Sequence, residues 1–247
     1  MKFIDTHIHL QDYKTRYATD IINESEKIGV EKFICVGTSP QDWERVEKLY
    51  QEYPQKIIPA FGLHPWYLEE QDEEWAEQLD AILERNPKAW VGECGLDGAK
   101  GREIKKQEEY FIKQIEIANR RQRPLIIHAV KCQHDMENLL TQLPKKSIFH
   151  SYNGRMEMLK KIISYGFYVS FSFSILKNKE CQEIVKSIPD KRILIETDGP
   201  YQSPIKGAET YPKQLSELAE MLADIRKADR ENFIKLIYQN SKDLINE

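Results

Sequence analysis

Residues 124–152 read PLIIHAVKCQHDMENLLTQLPKKSIFHSY, and this stretch contains one complete unit of the expected fold. It opens with an apolar run at 124–130, continues with helical spacing at 133–143, and closes with a second apolar run at 147–152. Runs that are apolar on both faces are typical of parallel strands covered by helices. The stretch therefore predicts a strand, a helix and a second strand parallel to the first.

The same alternation extends from one end of the chain to the other. Six further apolar runs predict strands at 3–9, 32–37, 57–64, 90–97, 167–172 and 193–200. Seven further segments predict helices at 40–53, 72–85, 103–122, 154–165, 177–188, 213–226 and 230–245. Eight strands alternating with helices over 247 residues match a (β/α)8 TIM barrel better than a doubly wound sheet. No linker or low-complexity segment interrupts the pattern, so residues 1–247 are predicted to form a single domain.

Composition and charge exclude several classes of protein. The chain has 36 Lys and Arg against 40 Asp and Glu, so a uniformly basic surface that coats nucleic acid is not expected. No apolar stretch reaches the roughly 20 residues of a membrane helix. Asp5, His7 and His9 occupy the place of a signal peptide's apolar region, and the four cysteines are scattered without a C-x-x-C pair. These features predict a cytoplasmic protein with reduced thiols and no membrane association.

Four of the six histidines lie at or near the carboxyl ends of predicted strands. His7 and His9 end the first strand, His128 belongs to the fifth, and His150 to the sixth. Because successive strand residues point to opposite faces, His7 and His9 project on the same side and can chelate one ion. In a barrel these strand ends converge on the face where active sites are found.

Two carboxylates belong to the same rim: Glu93 near the end of the fourth strand and Asp198 near the end of the eighth. Each residue alone has a plain structural interpretation, since a single histidine is often a core residue, Glu93 can cap a helix, and Asp198 can form a turn before Gly199. Their shared placement favours metal binding. Without a counter-charge, burying them would cost several kcal/mol, and divalent cations remove that cost. The residues predict a two-metal site bridged by Glu93.

Six short motifs, taken in their order along the chain, resemble those of the TatD family of metal-dependent deoxyribonucleases in the amidohydrolase superfamily. They read FIDTHIH at 3–9, GLHP at 62–65, GECGLD at 92–97, PLIIHA at 124–129, FHSYNG at 149–154 and IETDGPY at 195–201. The resemblance implies one metal held by His7, His9, Glu93 and Asp198, and a second held by Glu93, His128 and His150. Other branches of the superfamily use a carbamylated lysine on the fourth strand, so Glu93 favours the nuclease branch.

The resemblance also implies hydrolysis of phosphodiester bonds, as in a 3'-end exonuclease, with DNA or a nucleotide fragment as substrate. Asp198 and Glu93 are the expected catalytic residues, Asp198 taking the proton of the attacking water. His64 is expected to donate to a phosphate oxygen, or else to stabilise its own loop. Lys131 is a second candidate phosphate contact, or a solvated lysine, and Tyr152 either contacts a base or packs in the core.

The chain departs from the family pattern at positions that are expected to contact substrate. The basic residue expected two positions after His128 is replaced by Lys131, three positions on, and the usual C-F-S-G after His150 is SYNG at 151–154. These departures touch none of the expected metal ligands. They leave the natural substrate less defined than the reaction.

Two divalent ions are expected, and their identity is open among Zn, Mn, Ni and Mg. Imidazole-rich sites favour Zn, Mn, Co or Ni, whereas the family resemblance implies activity supported by Mg. The sequence implies no obligate protein partner. Two alternative functions remain: a hydrolase of a small amide, lactone or phosphoester that uses the same ions, and a non-catalytic binding protein. The complete set of six metal-competent residues weighs against the second alternative.

Overall fold

The computed structural model describes residues 1–101, 103–177 and 179–245. Eight parallel strands follow one another in a single sheet, in chain order from β1 to β8. The strands are β1 Phe3–Ile8, β2 Val30–Gly37, β3 Ile57–Phe61, β4 Trp90–Asp97, β5 Leu125–Val130, β6 Ser147–Phe149, β7 Tyr168–Phe171 and β8 Ile193–Ile195. This order confirms the (β/α)8 barrel that the alternation predicts.

Helices cover the outside of the barrel and complete the alternation. They are α1 Ala18–Lys27, α2 Pro40–Glu52, α3 Trp75–Arg85, α4 Ile104–Arg121, α5 Gln133–Leu139, α6 Met156–Ser164, α7 Lys179–Ser187, α8 Leu215–Arg226 and α9 Arg230–Ile245. The helix spacing in the sequence predicts all of these except α1. The N-cap of α1 is Tyr17, whose side chain makes no capping hydrogen bond. A helix without a start signal is easily overlooked in a sequence.

The ring closes between the last strand and the first. The amide of Asp198 donates to the carbonyl of His7 at 3.0 Å, and the hydroxyl of Thr6 donates to the carbonyl of Ile195 at 2.9 Å. The buried carboxylate of Asp5 accepts hydrogen bonds from the amide of Thr197 at 3.0 Å and from its hydroxyl at 2.6 Å. These contacts fix the carboxyl ends of β1 and β8 side by side.

Three strands stop three or more residues before the ends of the apolar runs that predict them. The runs 57–64, 147–152 and 193–200 stop as strands at Phe61, Phe149 and Ile195. Beyond those points the backbone changes region: Ser151 has φ 43° and Asp198 has φ 52°, left-handed values that no strand accommodates. His64, His150 and Asp198 therefore lie in the connections just beyond their strands.

The apolar interior has two layers. One large cluster packs the outer faces of the strands against the helices. A second, smaller cluster fills the barrel interior, with Trp90, Ile126 and Ile148 among its members, and Leu244 of α9 joins it. The amide of Asn240 in α9 donates to the carbonyls of Asp190 and Ile193, at the amino end of β8. The C-terminal helix thus covers the amino end of the barrel.

Glycines allow β4 to approach β5 closely. A Cβ on Gly92 would lie 2.6 Å from the carbonyl oxygen of Ile126, and one on Gly95 would lie 2.1 Å from that of His128. Both glycines also have positive φ. Only glycine fits in these places, and the close approach brings Glu93 beside His128. Among the described residues, no helix is long and apolar enough to cross a bilayer.

Candidate metal centre

The carboxylate of Glu93 lies between two sets of side chains at the carboxyl end of the barrel. Its Oε1 is 2.7 Å from Nε2 of His150 and 3.0 Å from Nδ1 of His128. Its Oε2 is 3.4 Å from Nε2 of His7 and 3.7 Å from Nε2 of His9. Each oxygen of one carboxylate therefore faces its own pair of imidazoles.

The first set consists of His7, His9 and Asp198. The Nε2 atoms of the two histidines are 3.1 Å apart. Oδ1 of Asp198 lies 3.3 Å from Nε2 of His9 and 3.6 Å from Nε2 of His7. The other ring nitrogen of His9 is 2.9 Å from the carbonyl of Val36, which accepts its hydrogen and turns Nε2 toward the centre.

The second set consists of His128 and His150, whose facing nitrogens are 3.3 Å apart. Behind each ring lies a carboxylate that the sequence analysis did not single out. Oδ2 of Asp97 is 3.1 Å from Nε2 of His128, and Oε1 of Glu196 is 3.2 Å from Nδ1 of His150. A carboxylate behind an imidazole fixes the tautomer and directs the opposite nitrogen at a metal. Alternation along β4 places Asp97 on the face of Glu93, a signal that could have identified it.

The donor chemistry of this cluster fits divalent cations. Buried imidazole nitrogens face one another and face carboxylate oxygens, an arrangement that needs either shared protons or a positive ion between the groups. Two of the groupings that can hold an ion are His7, His9 and Asp198, and His64, Glu93 and His128. Imidazole and carboxylate ligands together suit Zn, Mn, Co or Ni.

The pKa shifts describe how the protein balances these charges with protons alone. Burial raises the pKa of Glu93, but the positive charge of His150 and the hydrogen bond with His128 outweigh burial and hold it well below its usual value. Burial lowers the pKa of His9, but the hydrogen bond and charge of Asp198 raise it to about 9. The carboxylates are thus ionised, and imidazolium protons supply the compensating charge. Bound cations would take the place of those protons.

Comparison with known proteins agrees with this geometry. The family model described as TatD related DNase matches residues 4–246. The chain belongs to the TatD DNase family. Among curated relatives of this TatD-family chain, YabD of Bacillus subtilis (strain 168), described as an uncharacterized metal-dependent hydrolase, is 30% identical over 97% of each chain. The human protein called deoxyribonuclease TATDN3 is 27% identical over 96% of this chain and 92% of its own.

A solved structure supports the same grouping. The TatD homologue YJJV of Escherichia coli superposes with a TM-score of 0.90 at 26% identity, covering 99% of this chain and 98% of that one. The agreement spans the whole barrel, including the strand ends that carry the predicted ligands. The fold and the family therefore rest on the full chain and not on isolated motifs.

His64 joins the cluster in this TatD-family barrel. Its Nδ1 accepts a hydrogen bond from the amide of Trp66 at 3.2 Å, so its Nε2 carries the proton and points at Oε1 of Glu93, 3.4 Å away. Burial lowers the pKa of His64 to about 4, so the ring is neutral near pH 7. A neutral imidazole with its N–H directed into the centre is a hydrogen-bond donor for a substrate oxygen.

Gln202 holds Asp198 from outside the cluster. Its Nε2 donates to Oδ2 of Asp198 at 2.5 Å, and its Oε1 accepts from the hydroxyls of Ser151 and Ser172 at 2.8 and 2.6 Å. Two hydroxyl donors on one amide oxygen fix which way the amide faces. Oδ1 of Asp198 is thereby left toward the histidines. No sequence signal identified this residue.

The three predicted substrate contacts are separated by the structure. His64 lines the cavity of about 250 Å³ above the cluster, together with His9, Glu93 and Asp198. Lys131 and Tyr152 instead line a second cavity of about 620 Å³. Tyr152 is buried, and its hydroxyl donates to the carbonyl of Arg155 at 2.7 Å. Lys131 and Tyr152 as substrate contacts stay predictions, and they belong to a different cavity from the metal ligands.

Proposed function

We propose that this protein is a deoxyribonuclease that uses two divalent cations and removes nucleotides from the 3' end of a DNA strand. Membership of the TatD family makes it a metal-dependent hydrolase that acts on phosphodiester bonds. The observation that carries the proposal is the carboxylate of Glu93, whose two oxygens face separate imidazole pairs from β1 and from β5 and β6.

The ligand sets follow from the two sides of that carboxylate. His7, His9, Asp198 and Glu93 would hold one cation, and His128, His150 and Glu93 would hold the other. When bound, such a pair lowers the pKa of a water molecule toward about 7 and neutralises phosphate oxygens. Asp97 and Glu196 keep the second pair of imidazoles directed inward through hydrogen bonds at 3.1 and 3.2 Å.

Asp198 accepts the proton of the attacking water. Burial raises the pKa of this carboxyl, but the hydrogen bond to His9 and the charge of His7 outweigh burial and hold it below its usual value, so the group is ionised near pH 7. Gln202 holds Oδ2 and leaves Oδ1 directed at the centre. His64 donates its Nε2–H to a phosphate oxygen. A neutral donor suits this task because it stabilises negative charge without giving up its proton.

The shape of the cavity beside the metal cluster favours binding of the end of a DNA strand over binding of its middle. The cavity of about 250 Å³ is lined by Trp66, Tyr67 and Tyr201 beside the metal cluster. Trp66 and Tyr201 remain 40% and 50% exposed, which leaves aromatic surface for stacking a base. A cavity of this volume accommodates one nucleotide at a time, which supports exonucleolytic cleavage.

The experiment that tests the proposal compares substrates on one preparation loaded in turn with Zn, Mn, Ni or Mg. Single-stranded DNA labelled at the 5' end is compared with the same sequence in RNA and with p-nitrophenyl ester and lactone panels. We expect a ladder of products shortened from the 3' end of DNA. Glu93→Gln, prepared in parallel, controls for contaminating nucleases. Faster turnover of a lactone, amide or ester than of DNA would replace the proposal with the small-molecule hydrolase.

A further inference from the structure

The second cavity, of about 620 Å³, lies beside the metal centre on the same end of the barrel. Its walls come from the connections that follow β5 and β6, and His128 lies in β5 while His150 directly follows β6. We propose that this cavity binds the phosphate and sugar of the nucleotide next to the one being cleaved. The inference rests on the proposed nuclease function and adds a second subsite to it.

Two cationic side chains give the cavity its ligand preference. Lys131 and Arg155 both line it, both are exposed, and within the described ranges neither forms an ion pair. Elsewhere on the surface basic residues are commonly engaged, as Arg121 is with Asp80 and Arg230 with Asp224. Two uncommitted cations across one cavity attract a phosphate group, since charge-assisted contacts of this kind supply most of the affinity for nucleic acid.

The acidic residues of the cavity do not cancel this preference. Glu137 forms an ion pair with Lys161. Glu180 also has an interaction partner within the structure. Because Glu137 is already neutralised by a cation outside the cavity, Lys131 and Arg155 retain their charge for a ligand. The ring of His134 completes the polar lining.

The floor of the cavity is apolar and ordered. Tyr152, Met136 and Met158 are buried beneath it, and the Tyr152 hydroxyl is satisfied by the carbonyl of Arg155. Tyr152 therefore shapes the cavity and positions the backbone of Arg155. It has no free hydroxyl hydrogen for a base. This arrangement gives a sugar an apolar surface with cations at the rim.

The backbone of the connection after β5 is constrained at Lys131, which lines the second cavity. Lys131 has φ 49°, in the left-handed region. Gly98 packs against it, since a Cβ there would lie 2.4 Å from the carbonyl oxygen of Lys131. Lys131 is three residues beyond His128, a path of at most about 10 Å along the chain. The cavity is therefore within reach of the nucleotide adjoining the scissile bond, and its lining shares no residue with that of the cavity above the metal cluster.

The test separates short from long substrates on the metal-loaded protein. Kinetic constants are measured for bis(p-nitrophenyl) phosphate, which has no neighbouring nucleotide, and for oligo(dT) strands of increasing length. In the double variant with Lys131→Ala and Arg155→Ala, we expect KM for the longer strands to rise about tenfold, with kcat unchanged. Both constants for bis(p-nitrophenyl) phosphate should stay at the wild-type values. Each single variant should give an intermediate KM.

A binding measurement without turnover supports the kinetics. The probe is a fluorescein-labelled oligo(dT) with phosphorothioate linkages, titrated by anisotropy over a range of salt concentrations. Loss of one neutralised phosphate in the double variant should reduce the slope of log affinity against log salt by about 0.7. Lys88→Ala is the matched control, because Lys88 is also exposed but lines a cavity that includes Trp90 and Pro124 at the amino ends of their strands. It should change neither KM nor the slope.

Three negative outcomes are distinguishable. If wild-type protein cleaves oligo(dT) and the double variant cleaves every length with unchanged KM, the subsite is overturned and the nuclease function stands. If wild-type protein hydrolyses bis(p-nitrophenyl) phosphate but no oligonucleotide, the proposed function fails and the subsite fails with it. An equal rise of KM for the small phosphodiester would also overturn the subsite, because it would place the cations at the scissile phosphate.

Discussion

The two ends of the barrel are built from the same strands and serve opposite purposes. Near its amino end the interior is apolar, with Trp90, Ile126, Ile148 and Leu194 in one cluster. Two to four residues further along the same strands or their extensions stand Glu93, His128, His150 and Asp198. Ile126 and His128 lie two apart in β5, and Ile148 and His150 are also two apart, so each pair projects on one face.

The two ends of the barrel differ in the free-energy change that accompanies burial of their side chains. Burying an isoleucine at the amino end stabilises the fold by about 1.5–3 kcal/mol. Burying several ionisable groups at the carboxyl end costs free energy that only protons or cations offset. The stability contributed by the apolar amino end can therefore offset the cost of the buried ionisable groups at the carboxyl end. Without those groups the protein would be more stable. Substitutions at the two ends should separate activity from stability.

The largest expected effect belongs to Glu93→Gln. The amide keeps the shape of the side chain but removes the negative charge that faces both imidazole pairs. We expect kcat/KM for DNA to fall by at least about a thousandfold. Bound metal, measured by atomic emission on the purified protein, should fall with it, and so should the rise in Tm that Zn gives to the wild type.

The same variant also tests how the buried charges at the carboxyl end of the barrel affect the free energy of unfolding. In metal-free protein, Glu93→Gln should lower the free energy of unfolding at pH 7, because it leaves the buried imidazolium groups without the carboxylate that offsets their charge. Urea unfolding in EDTA provides the measurement. An unchanged or increased free energy of unfolding in that state would mean that imidazolium protons do not compensate the carboxylate in the metal-free protein.

The second prediction concerns the amino end, where a substitution should reduce stability and leave activity unchanged. Ile148→Ala should reduce the free energy of unfolding by about 2–5 kcal/mol, because the side chain is fully buried in the barrel interior. Below the unfolding transition, kcat and metal content should equal those of the wild type. Ile148→Val is the matched control and should cost only about 0.5–1.5 kcal/mol. A loss of metal in either variant would show that the ends are coupled.

The parts of the molecule that the sequence predicted follow from strong periodic signals. Alternating apolar runs and amphipathic segments are local properties, so the eight strands and all helices but α1 could be identified. The structure also brings together the six predicted metal ligands, since parallel strand ends must meet in a barrel. Their role as ligands stays a proposal.

What the sequence did not predict depends on how connections fold back over the mouth. Alternation along β4 places Asp97 on the face of Glu93, but nothing in the residue types of Asp97 or Glu196 distinguishes a partner of a ligand from a ligand. Gln202 reaches Asp198 only because both residues adopt positive φ. The separation of Lys131 from the metal cavity likewise depends on the left-handed turn at that residue. Such turns of non-glycine residues have no reliable sequence signal.

The third prediction concerns Gln202, because it joins three strand connections at the mouth. Gln202→Ala removes a hydrogen bond to the carboxylate of Asp198, which is worth about 1.5–3 kcal/mol when one partner is charged. We expect kcat for DNA to fall about tenfold while KM stays within twofold.

Ser172→Ala provides the graded comparison for Gln202. It removes one of the two hydroxyls on the amide oxygen and keeps the bond to Asp198, so kcat should fall only about two- to threefold. Metal affinity, titrated by calorimetry, should weaken in the same order. If Gln202→Ala raised KM and left kcat unchanged, Gln202 would contact substrate and would not position Asp198.

The smallest expected effect is at Asp80, away from both ends of the barrel. Asp80 belongs to α3 and contacts α4. Arg121 and Arg120 hydrogen-bond to its carboxylate and, against the opposing effect of burial, lower its pKa from 3.8 to about 2. A lowered pKa in the folded state adds stability above about pH 4, and that stability is lost as the pH falls toward 2. Asp80→Asn should therefore cost about 0.5–1 kcal/mol at pH 7, since the groups are partly exposed, and less as the pH falls. Urea unfolding at several pH values measures this difference, and a cost that stayed constant down to pH 2 would assign it to packing and not to charge.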